Sequence, residues 1–353
     1  MIENPQPFTL RSNSTEDGST LNPQLTPDSQ PSTLNPQQQL PPLTICICTC
    51  GRPAMLARLL REIASQETAG AFTFSVVVTD NDASQSARPV VEEYARGDAF
   101  PVMYTTEPER NIAVARNTAL SHATGEFIVF IDDDEFPVAG WLLNLFRVCE
   151  THQVAGVLGP VKPHFESGAP KWLVKGGFYN RPTHPTGYLM PWQECRTGNV
   201  LLRRSIFSTS GVPSYQPSTL NSSGTPATEP AFRREFGTGG EDQDFFRRMS
   251  QRGHRFIWCD EAVAYEEVPA SRWSRRFLLS RALLRGRNTF RHPKHRARNL
   301  LKSAIAVPGY ALALPVLLVA GHHYFMRYLV KMTDHVGRLL AAARLNPVRE
   351  RRM

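Results

Sequence analysis

Blocks of apolar residues alternate with amphipathic blocks from residue 43 onward, and this pattern predicts strands and helices in turn. The four apolar, β-prone runs are residues 43–50, 72–79, 102–105 and 127–131. Helical periodicity follows each run, over residues 54–66, 87–95, 112–122 and 138–150. Strands that alternate with helices of about ten residues predict a mostly parallel α/β sheet with helices on both faces.

Two segments lack this pattern. Residues 1–41 are rich in Pro, Gln, Ser, Thr and Asn, and they contain too few large apolar residues to form a core. We expect a disordered leader there, and it is not a signal peptide because no apolar stretch follows a basic start. Residues 211–231 have a similar composition and predict a low-complexity loop inserted in the folded body. The expected domain therefore covers residues 42–291, and a C-terminal region covers 292–353.

Composition excludes several classes of protein. Of the 353 residues, 41% are hydrophobic, which is enough for a sizeable core and excludes global disorder. The six cysteines form no CxxC pair, so a zinc ribbon or a thioredoxin-type site is excluded and reduced, buried thiols in a cytosolic protein are expected.

Charge divides the chain into an acidic body and a basic tail. From Ser271 onward there are 18 Lys and Arg residues against two acids, although the net charge of the whole chain is only +8. This pattern is typical of a body that binds metal ions and a tail that meets phosphates or anionic lipid.

Polar clusters follow three of the predicted strands directly. They lie at residues 49–52, 80–82 and 132–135. In a parallel α/β sheet, ligands bind beyond the carboxyl ends of the strands, so these clusters are expected to converge on one crevice.

The third cluster is the most informative. Asp132, Asp133, Asp134 and Glu135 follow a buried strand without interruption, and four adjacent carboxylates repel one another unless a cation neutralises them. Mg²⁺ and Mn²⁺ prefer carboxylate oxygens and complete their coordination with water and phosphate. The alternative is an acidic turn that caps the helix predicted at 138–150. Four acids favour the metal site.

A second acidic motif follows a glycine-rich turn. Gly239 and Gly240 precede Glu241 and Asp242, which lie in the first turn of a predicted helix together with Asp244. The glycines indicate either a tight turn or a close approach by a ligand. Capping is an alternative role for these acids, and it is the one we favour for Asp244. A carboxylate beside a metal and a phosphate could act as a general base toward a hydroxyl group.

Together these motifs resemble glycosyltransferase family 2, which has the GT-A nucleotide-diphospho-sugar transferase fold, and within it the bacterial exopolysaccharide enzymes of the succinoglycan-biosynthesis type. The resemblance covers about residues 43–291 and rests on seven short segments in the family's order: residues 45–53, 78–82, 111–117, 131–135, 197–203, 239–242 and 266–269. It implies a Rossmann-like, mixed and mostly parallel sheet.

The resemblance also implies roles for individual residues. Donor binding is expected for seven of them: Thr49, Arg52, Asp80, Asp82, Arg116, Asp132 and Asp133. Among these, Asp80 would contact the base, Arg116 would lie near the phosphates, and Asp132 would face the ribose. Asp132 and Asp134 match the family's DxD metal motif. Asp242 matches the general base, with Glu241 as the fallback.

The implied reaction is an inverting transfer with Mg²⁺ or Mn²⁺ as cofactor. The donor would be a nucleotide-sugar, normally a UDP-sugar, and the acceptor a lipid-linked or polysaccharide glycan. Two alternatives stay open at this point. A nucleotidyltransferase would need a glycine-rich, Lys-bearing phosphate loop, which residues 49–52 lack. A membrane-bound scaffold that binds nucleotide or carbohydrate would not need both acidic motifs.

The C-terminal region indicates contact with a membrane. Residues 304–321 carry no charge over 18 positions, which is at the lower limit for crossing a bilayer, and they contain two prolines. A span, a re-entrant segment and a buried core helix are all compatible with this length. Residues 271–302 contain 11 Lys and Arg and no acid. Because no nucleic-acid module accompanies them, we expect no nucleic-acid partner. We expect attachment to the inner membrane, with the catalytic domain at its cytoplasmic leaflet.

Overall fold

The computed structural model describes residues 39–208, 229–237, 239–291 and 296–345. The predicted leader lies outside the described residues except for its last three positions. The predicted loop insertion at 211–231 likewise lies outside them except for its last three positions.

The described residues form ten strands in two sheets. Their bounds are β1 Pro42–Thr49, β2 Thr73–Asp80, β3 Val102–Thr106, β4 Phe127–Asp132, β5 Glu135–Pro137, β6 Gly156–Leu158, β7 Val161–His164, β8 Val200–Arg203, β9 Phe256–Trp258 and β10 Ala264–Glu267. The larger sheet has the order β3-β2-β1-β4-β8-β6-β9, and the smaller has the order β5-β10-β7. In the larger sheet β8 runs antiparallel to β4 and β6, and the other pairs are parallel.

In the same described part of the chain, ten α-helices accompany the sheets. Their bounds are α1 Pro53–Ala64, α2 Arg88–Ala95, α3 Ile112–His122, α4 Trp141–His152, α5 Lys171–Gly176, α6 Ser205–Ser208, α7 Glu241–Gln251, α8 Arg275–Arg291, α9 Arg296–Ala320 and α10 His322–Ala342. The proline at the start of α1 suits a first helical position, where its missing N–H has no helical partner to lose. Asn111 caps α3 by accepting bonds from the backbone N–H groups of Ala113 and Val114.

Apolar side chains pack on both faces of the larger sheet, as the sequence predicted. One core lies between the sheet and helices α1 and α4, and Ile45, Ile47 and Trp141 are among its fully buried members. The other lies on the opposite face, where Phe245 and Phe246 of α7 pack near Phe130. All six cysteines are free, and four of them are buried.

The first four strands and the first three helices lie within two residues of their predicted bounds. The fourth helix begins at Trp141 and not at residue 138 as predicted, because Glu135–Pro137 forms a strand that pairs antiparallel with β10.

The three C-terminal helices pack on one another and on the body. α10 contacts both α8 and α9, and its first turns contact α5. Residues Ala297–Ala320 of α9 are long and apolar enough to cross a membrane by length and composition. The most apolar 18-residue stretch within them has a mean hydropathy of 2.0, and 6% of that stretch is buried in the protein.

Candidate active site

The crevice predicted from the strand ends is present. In the register of the sheet, Thr49 pairs with Asp80 and Cys48 pairs with Asp132, so the ends of β1, β2 and β4 lie side by side. The polar residues that follow these strands therefore share one edge of the sheet, as in other open α/β folds.

The middle acids of the run are tied to the end of β1. Asp133 is buried, and its carboxylate accepts bonds from Thr49 Oγ1 at 2.8 Å and from Arg52 Nη1 at 2.9 Å. The same Arg52 nitrogen lies 3.1 Å from Asp134 Oδ2. The first-strand residues predicted to bind the donor thus hold the acid run in place.

The outer acids of the run face a glycine. Asp132 is partly exposed, with its Oδ1 3.1 Å from Arg116 Nη2, while Glu135 is buried. A Cβ placed on Gly198 would lie 2.7 Å from Glu135 Oε1 and 3.0 Å from Asp132 Oδ2. Only glycine therefore lets the backbone pass this close to the two carboxylates.

Burial and mutual repulsion disfavour the ionised forms of Asp133, Asp134 and Glu135. Burial, followed by the charges of Asp132 and Asp133, raises the pKa of Asp134 to about 6. Burial also raises the pKa of Asp133, against the opposing effect of Arg52, and raises that of Glu135 well above its usual value.

The carboxylates of the acid run suit a hard divalent cation as metal ligands. Asp132 and Asp134 offer carboxylate oxygens beside an open crevice, and a nearby positive charge would relieve their repulsion. Among the described residues no group of three His, Cys, Asp or Glu side chains is arranged to hold a metal. Two carboxylates fit an ion that takes its remaining ligands from phosphate and water, which is the usual arrangement for Mg²⁺.

The capping alternative for the acid run is wrong. Helix α4 has Gly140 at its N-cap and no acid in its first turn. The acids end β4 and enter β5, so they do not interact with a helix terminus.

The second acidic motif lies across the crevice from the first. Gly239 and Gly240 have φ values of 125° and 96°, and Gly240 is the N-cap of α7, so the turn itself requires both glycines. This turn places Glu241 and Asp242 at the start of α7. Glu241 is buried and forms an ion pair with Arg116 Nη1.

Arg116 joins the two motifs. Its guanidinium contacts Asp132 on the sheet edge and Glu241 on α7, and its side chain is 8% exposed. Burial alone would lower the pKa of Arg116, but these two carboxylates outweigh it and raise the pKa. The predicted position of Arg116 near the phosphates of a donor stays a prediction, and the structure shows Arg116 paired with two carboxylates.

The two neighbouring acids of α7 have different environments. Asp242 has a 17% exposed side chain, and its nearest cation is Arg196, with Nε 3.7 Å from Oδ2. Burial raises the pKa of Glu241, and its Oε2 has no hydrogen-bond partner in the part of the chain that the structure describes. The side chain of Asp242 is thus the more exposed of the two, whereas that of Glu241 is buried in its ion pair with Arg116.

Asp244 is not a helix cap, contrary to the sequence-based expectation. It is buried, and its carboxylate lies 2.8 Å from Arg247 Nη2 and 2.9 Å from Arg248 Nε. These ion pairs along one helix face make Asp244 part of the structural core of α7.

The residues after β2 form a closed turn. Asp80 is fully buried and accepts bonds from Tyr104 Oη at 3.0 Å and from the backbone N–H of Ala87 at 2.9 Å. Asp82 is partly buried, and hydrogen bonds from Ser84 lower its pKa to about 2. Base contact by Asp80 stays a prediction, because its carboxylate already holds this turn.

An open pocket of about 190 Å³ lies beside the two acidic motifs. Gly198, next to the acid run, and Arg196, next to Asp242, both line it. Its other walls include Leu158, Arg181, Gln193, Glu194 and Trp258. This mixture of apolar, cationic, amide and carboxylate groups suits a polar ligand such as a sugar.

Comparison with known proteins agrees with this architecture. Residues 44–211 match the model of "Glycosyl transferase family 2". The chain is 32% identical over 303 residues to "Succinoglycan biosynthesis protein ExoM" of Rhizobium meliloti, which covers 84% of this chain and 91% of that protein. The chain belongs to glycosyl transferase family 2. It is a glycosyltransferase, and the nucleotidyltransferase and scaffold alternatives are wrong.

A partial match to another transferase of this family concerns a lipid-linked substrate. It is 26% identical over 113 residues to the "GalNAc(5)-diNAcBac-PP-undecaprenol beta-1,3-glucosyltransferase" of Campylobacter jejuni, covering 31% of this chain and 34% of that protein.

A solved structure shows the same fold. The "Mannosyltransferase PcManGT from Pyrobaculum calidifontis in complex with GDP-Man and Mn2+" has a TM-score of 0.55 at 19% identity, and the match covers 90% of each chain. At this identity the likeness shows the GT-A fold alone, which agrees with the predicted fold class.

The sequence analysis assigned no role to three residues near the acidic motifs: Arg196, Gly198 and Asn199. Gly198 and Arg196 lie in a loop with no strand or helix pattern, and only the resemblance pointed to the segment that contains Gly198. Asn199 is fully buried and its side-chain amide donates to the backbone oxygens of Pro160 and Ala262, which holds that loop. No local periodicity could reveal these contacts, because each joins segments distant in sequence.

Proposed function

We propose that this enzyme transfers a sugar, with inversion, from a UDP-sugar to a lipid-linked glycan acceptor in exopolysaccharide or cell-surface glycan synthesis. The observation that carries the proposal is the bridge by Arg116, which holds the acid run and the start of α7 on opposite sides of one crevice.

The donor would lie along the ends of β1, β2 and β4. Asp80 and Asp82 stand at the base end, with Thr49, Arg52 and Asp133 next to them. Charge on the departing diphosphate would be neutralised by a divalent ion held by Asp132 and Asp134. Arg116 keeps Asp132 oriented toward that position, since its guanidinium is fixed by a second carboxylate.

Asp242 would act as the general base. Its Oδ2 lies 3.7 Å from Arg196 Nε, and Arg196 and Gly198 line the pocket through which the acceptor hydroxyl would enter. Asp242 would take the proton of this hydroxyl as its oxygen attacks the anomeric carbon from the face opposite the diphosphate, which inverts the configuration.

The lipid-linked acceptor is inferred from the C-terminal helices as well as from the Campylobacter relative. An acceptor with a polyprenyl chain stays in the bilayer, so the enzyme must work at the membrane surface. The basic and apolar tail would bring the catalytic body to the cytoplasmic leaflet of the inner membrane.

A donor screen tests the proposal. The full-length enzyme would be incubated with UDP-, GDP- and dTDP-sugars, a lipid-linked acceptor and Mn²⁺ or Mg²⁺, and release of nucleoside diphosphate would be measured. We expect release with a UDP-sugar that requires both the acceptor and the metal. Release with GDP-sugars alone would refute the donor assignment, and full activity in excess chelator would refute the metal.

A further inference from the structure

One face of α9 is apolar and uncovered along its whole length. Leu312 is 82% exposed, Val316 70% and Val319 91%. Positions 301, 305, 312, 316 and 319 fall on one side of a helix and carry Leu, Ile, Leu, Val and Val. At 1.5 Å per residue this apolar face is about 27 Å long.

The opposite face of α9 is occupied by α10. Ser303 Oγ lies 3.0 Å from His335 Nδ1, and the ring of Tyr310 lies 5.8 Å from those of both Tyr328 and His335. The two helices are joined through Gly321, so they form an antiparallel hairpin with contacts along its length.

Helix α10 could not accompany α9 through a bilayer. Arg327 and Lys331 are exposed and flank Tyr328, which packs beside Tyr310 near the midpoint of α9. If α9 crossed the membrane, these two cations would be drawn to the middle of the hydrocarbon, where charged side chains are costly and rare.

Helix α10 is also fixed to the rest of the protein. Its Asp334 is buried and lies 2.8 Å from Arg285 of α8. A Cβ on Gly337 would lie 2.5 Å from the backbone oxygen of Leu283, so α8 and α10 meet at backbone contact. At its first turn, His322 packs against Trp172 of α5. The hairpin therefore cannot swing away from the body without breaking these contacts.

We propose that α9 lies parallel to the surface of an anionic bilayer, with the face of Leu312, Val316 and Val319 among the upper acyl chains, and that it does not cross the membrane. The inference rests on the membrane attachment proposed above and specifies its geometry. Arg298 and Lys302, exposed at the start of α9, lie at the level of the headgroups and bind anionic lipid.

The hairpin also contacts a segment that leads to the pocket. His322 in the first turn of α10 packs against Trp172 of α5, and Arg181, five residues after α5, lines the pocket. We expect a diphosphate-linked acceptor anchored in the same leaflet to approach the pocket from this side.

Depth measurements test the orientation. Ile305→Cys, Leu312→Cys and Val319→Cys variants of the full-length protein would carry a fluorophore, and quenching by lipids brominated at known depths would be measured in phosphatidylcholine–phosphatidylglycerol vesicles. We expect equal, shallow depths at the three sites. The unsubstituted protein gives the background labelling, and Glu92→Cys on α2 should be unquenched.

Two other outcomes would overturn the inference. A label at 312 that lies much deeper than those at 305 and 319 would show a spanning helix. Absence of quenching at all three sites would show that no membrane contacts this face, and a dimer by sedimentation would then identify a second copy as its occupant. In either case nucleoside diphosphate release, measured separately, would still decide the proposed transfer reaction.

Discussion

The crevice and the C-terminal hairpin place polar and apolar residues in opposite ways. At the crevice, apolar residues form the interior, and the carboxylates of Asp132 and Asp134 stand at an edge open to ligands. In the hairpin, Asp334 is buried between Arg285 and Arg338, while Leu312 and Val319 are almost fully exposed. These arrangements fit the phosphate binding proposed for the first region and the lipid contact proposed for the second.

The two regions also hold their charges differently. At the crevice, burial and the charges of Asp132 and Asp133 disfavour the ionised form of Asp134, and a bound cation would relieve this. Asp334 has two arginine partners and needs no ligand. Substitutions in the two regions should therefore have effects of different kind and, for stability, of opposite sign.

The largest expected effect is on catalysis, at Asp242. Asp242→Asn keeps the shape of the side chain but removes the proton acceptor, so turnover should fall by roughly 10²-fold or more. Donor binding, measured by calorimetry, should persist. Asp98→Asn, at an exposed site on the body, is the matched control and should behave as the wild type. Normal turnover in Asp242→Asn, together with an inactive Glu241→Gln, would show that Glu241 is the base.

The next largest effect should be on membrane binding, after substitutions on the exposed face of α9. A Leu312→Glu, Val319→Glu double variant places two charges on the uncovered face of α9, and each should cost roughly 1–2 kcal/mol of lipid contact. The vesicle-bound fraction should thus fall at least about tenfold in a flotation assay. Met103→Glu changes an exposed apolar residue of the sheet edge and should bind normally. Equal binding by all three proteins would mean that α9 does not contact the lipid.

Removing the buried acid of the hairpin should destabilise the fold. Asp334→Ala leaves Arg285 and Arg338 without this partner, and we expect a loss on the order of 2 kcal/mol in the free energy of unfolding. Urea denaturation of the detergent-solubilised protein would measure it, with Asp98→Ala as the control. A change below about 0.5 kcal/mol would indicate that the ion pairs contribute little.

The smallest effect should be a gain in stability at the crevice. The pKa of Asp134 is about 6 in the folded protein and about 4 in an unfolded chain, so the folded state holds its proton more tightly. Ionisation of this group thus costs stability above pH 6, and the cost disappears as the pH falls toward 4. Without metal, Asp134→Asn should raise the free energy of unfolding on the order of 1 kcal/mol at pH 8 and leave it unchanged near pH 4. A loss of stability at pH 8 in this variant would contradict the inference that the ionised form of Asp134 destabilises the folded protein.

Local pattern was enough to predict the first half of the fold. Residues Ile112–His122 form a helix with the predicted bounds, because an Asn cap precedes a continuous helical sequence. The strand ends and the acid run were placed at one crevice for the same reason, since both follow from short segments and from the direction of parallel strands.

The rest depended on contacts between distant segments. The strand Glu135–Pro137 is three residues long and exists because it pairs with Ala264–Glu267, which no local pattern reveals. Likewise Asp244 looks like a cap in sequence, and only the fold brings Arg233 beside it in addition to its helical neighbours. Sequence identified the acids, and the tertiary structure determined which of them are buried in ion pairs and which are partly exposed at the crevice.

The ion pair between Arg116 and Glu241 has a consequence for how the enzyme is made. The two residues are 125 positions apart, so the bond closes a very long loop and can form only after α7 has left the ribosome. Strands β1 to β4 can pack against their helices well before that moment. Until then, Arg116 has only the sheet-edge carboxylate as a partner. The crevice is therefore completed late in synthesis, and a chain interrupted before residue 241 would lack both Glu241 and the proposed base, Asp242.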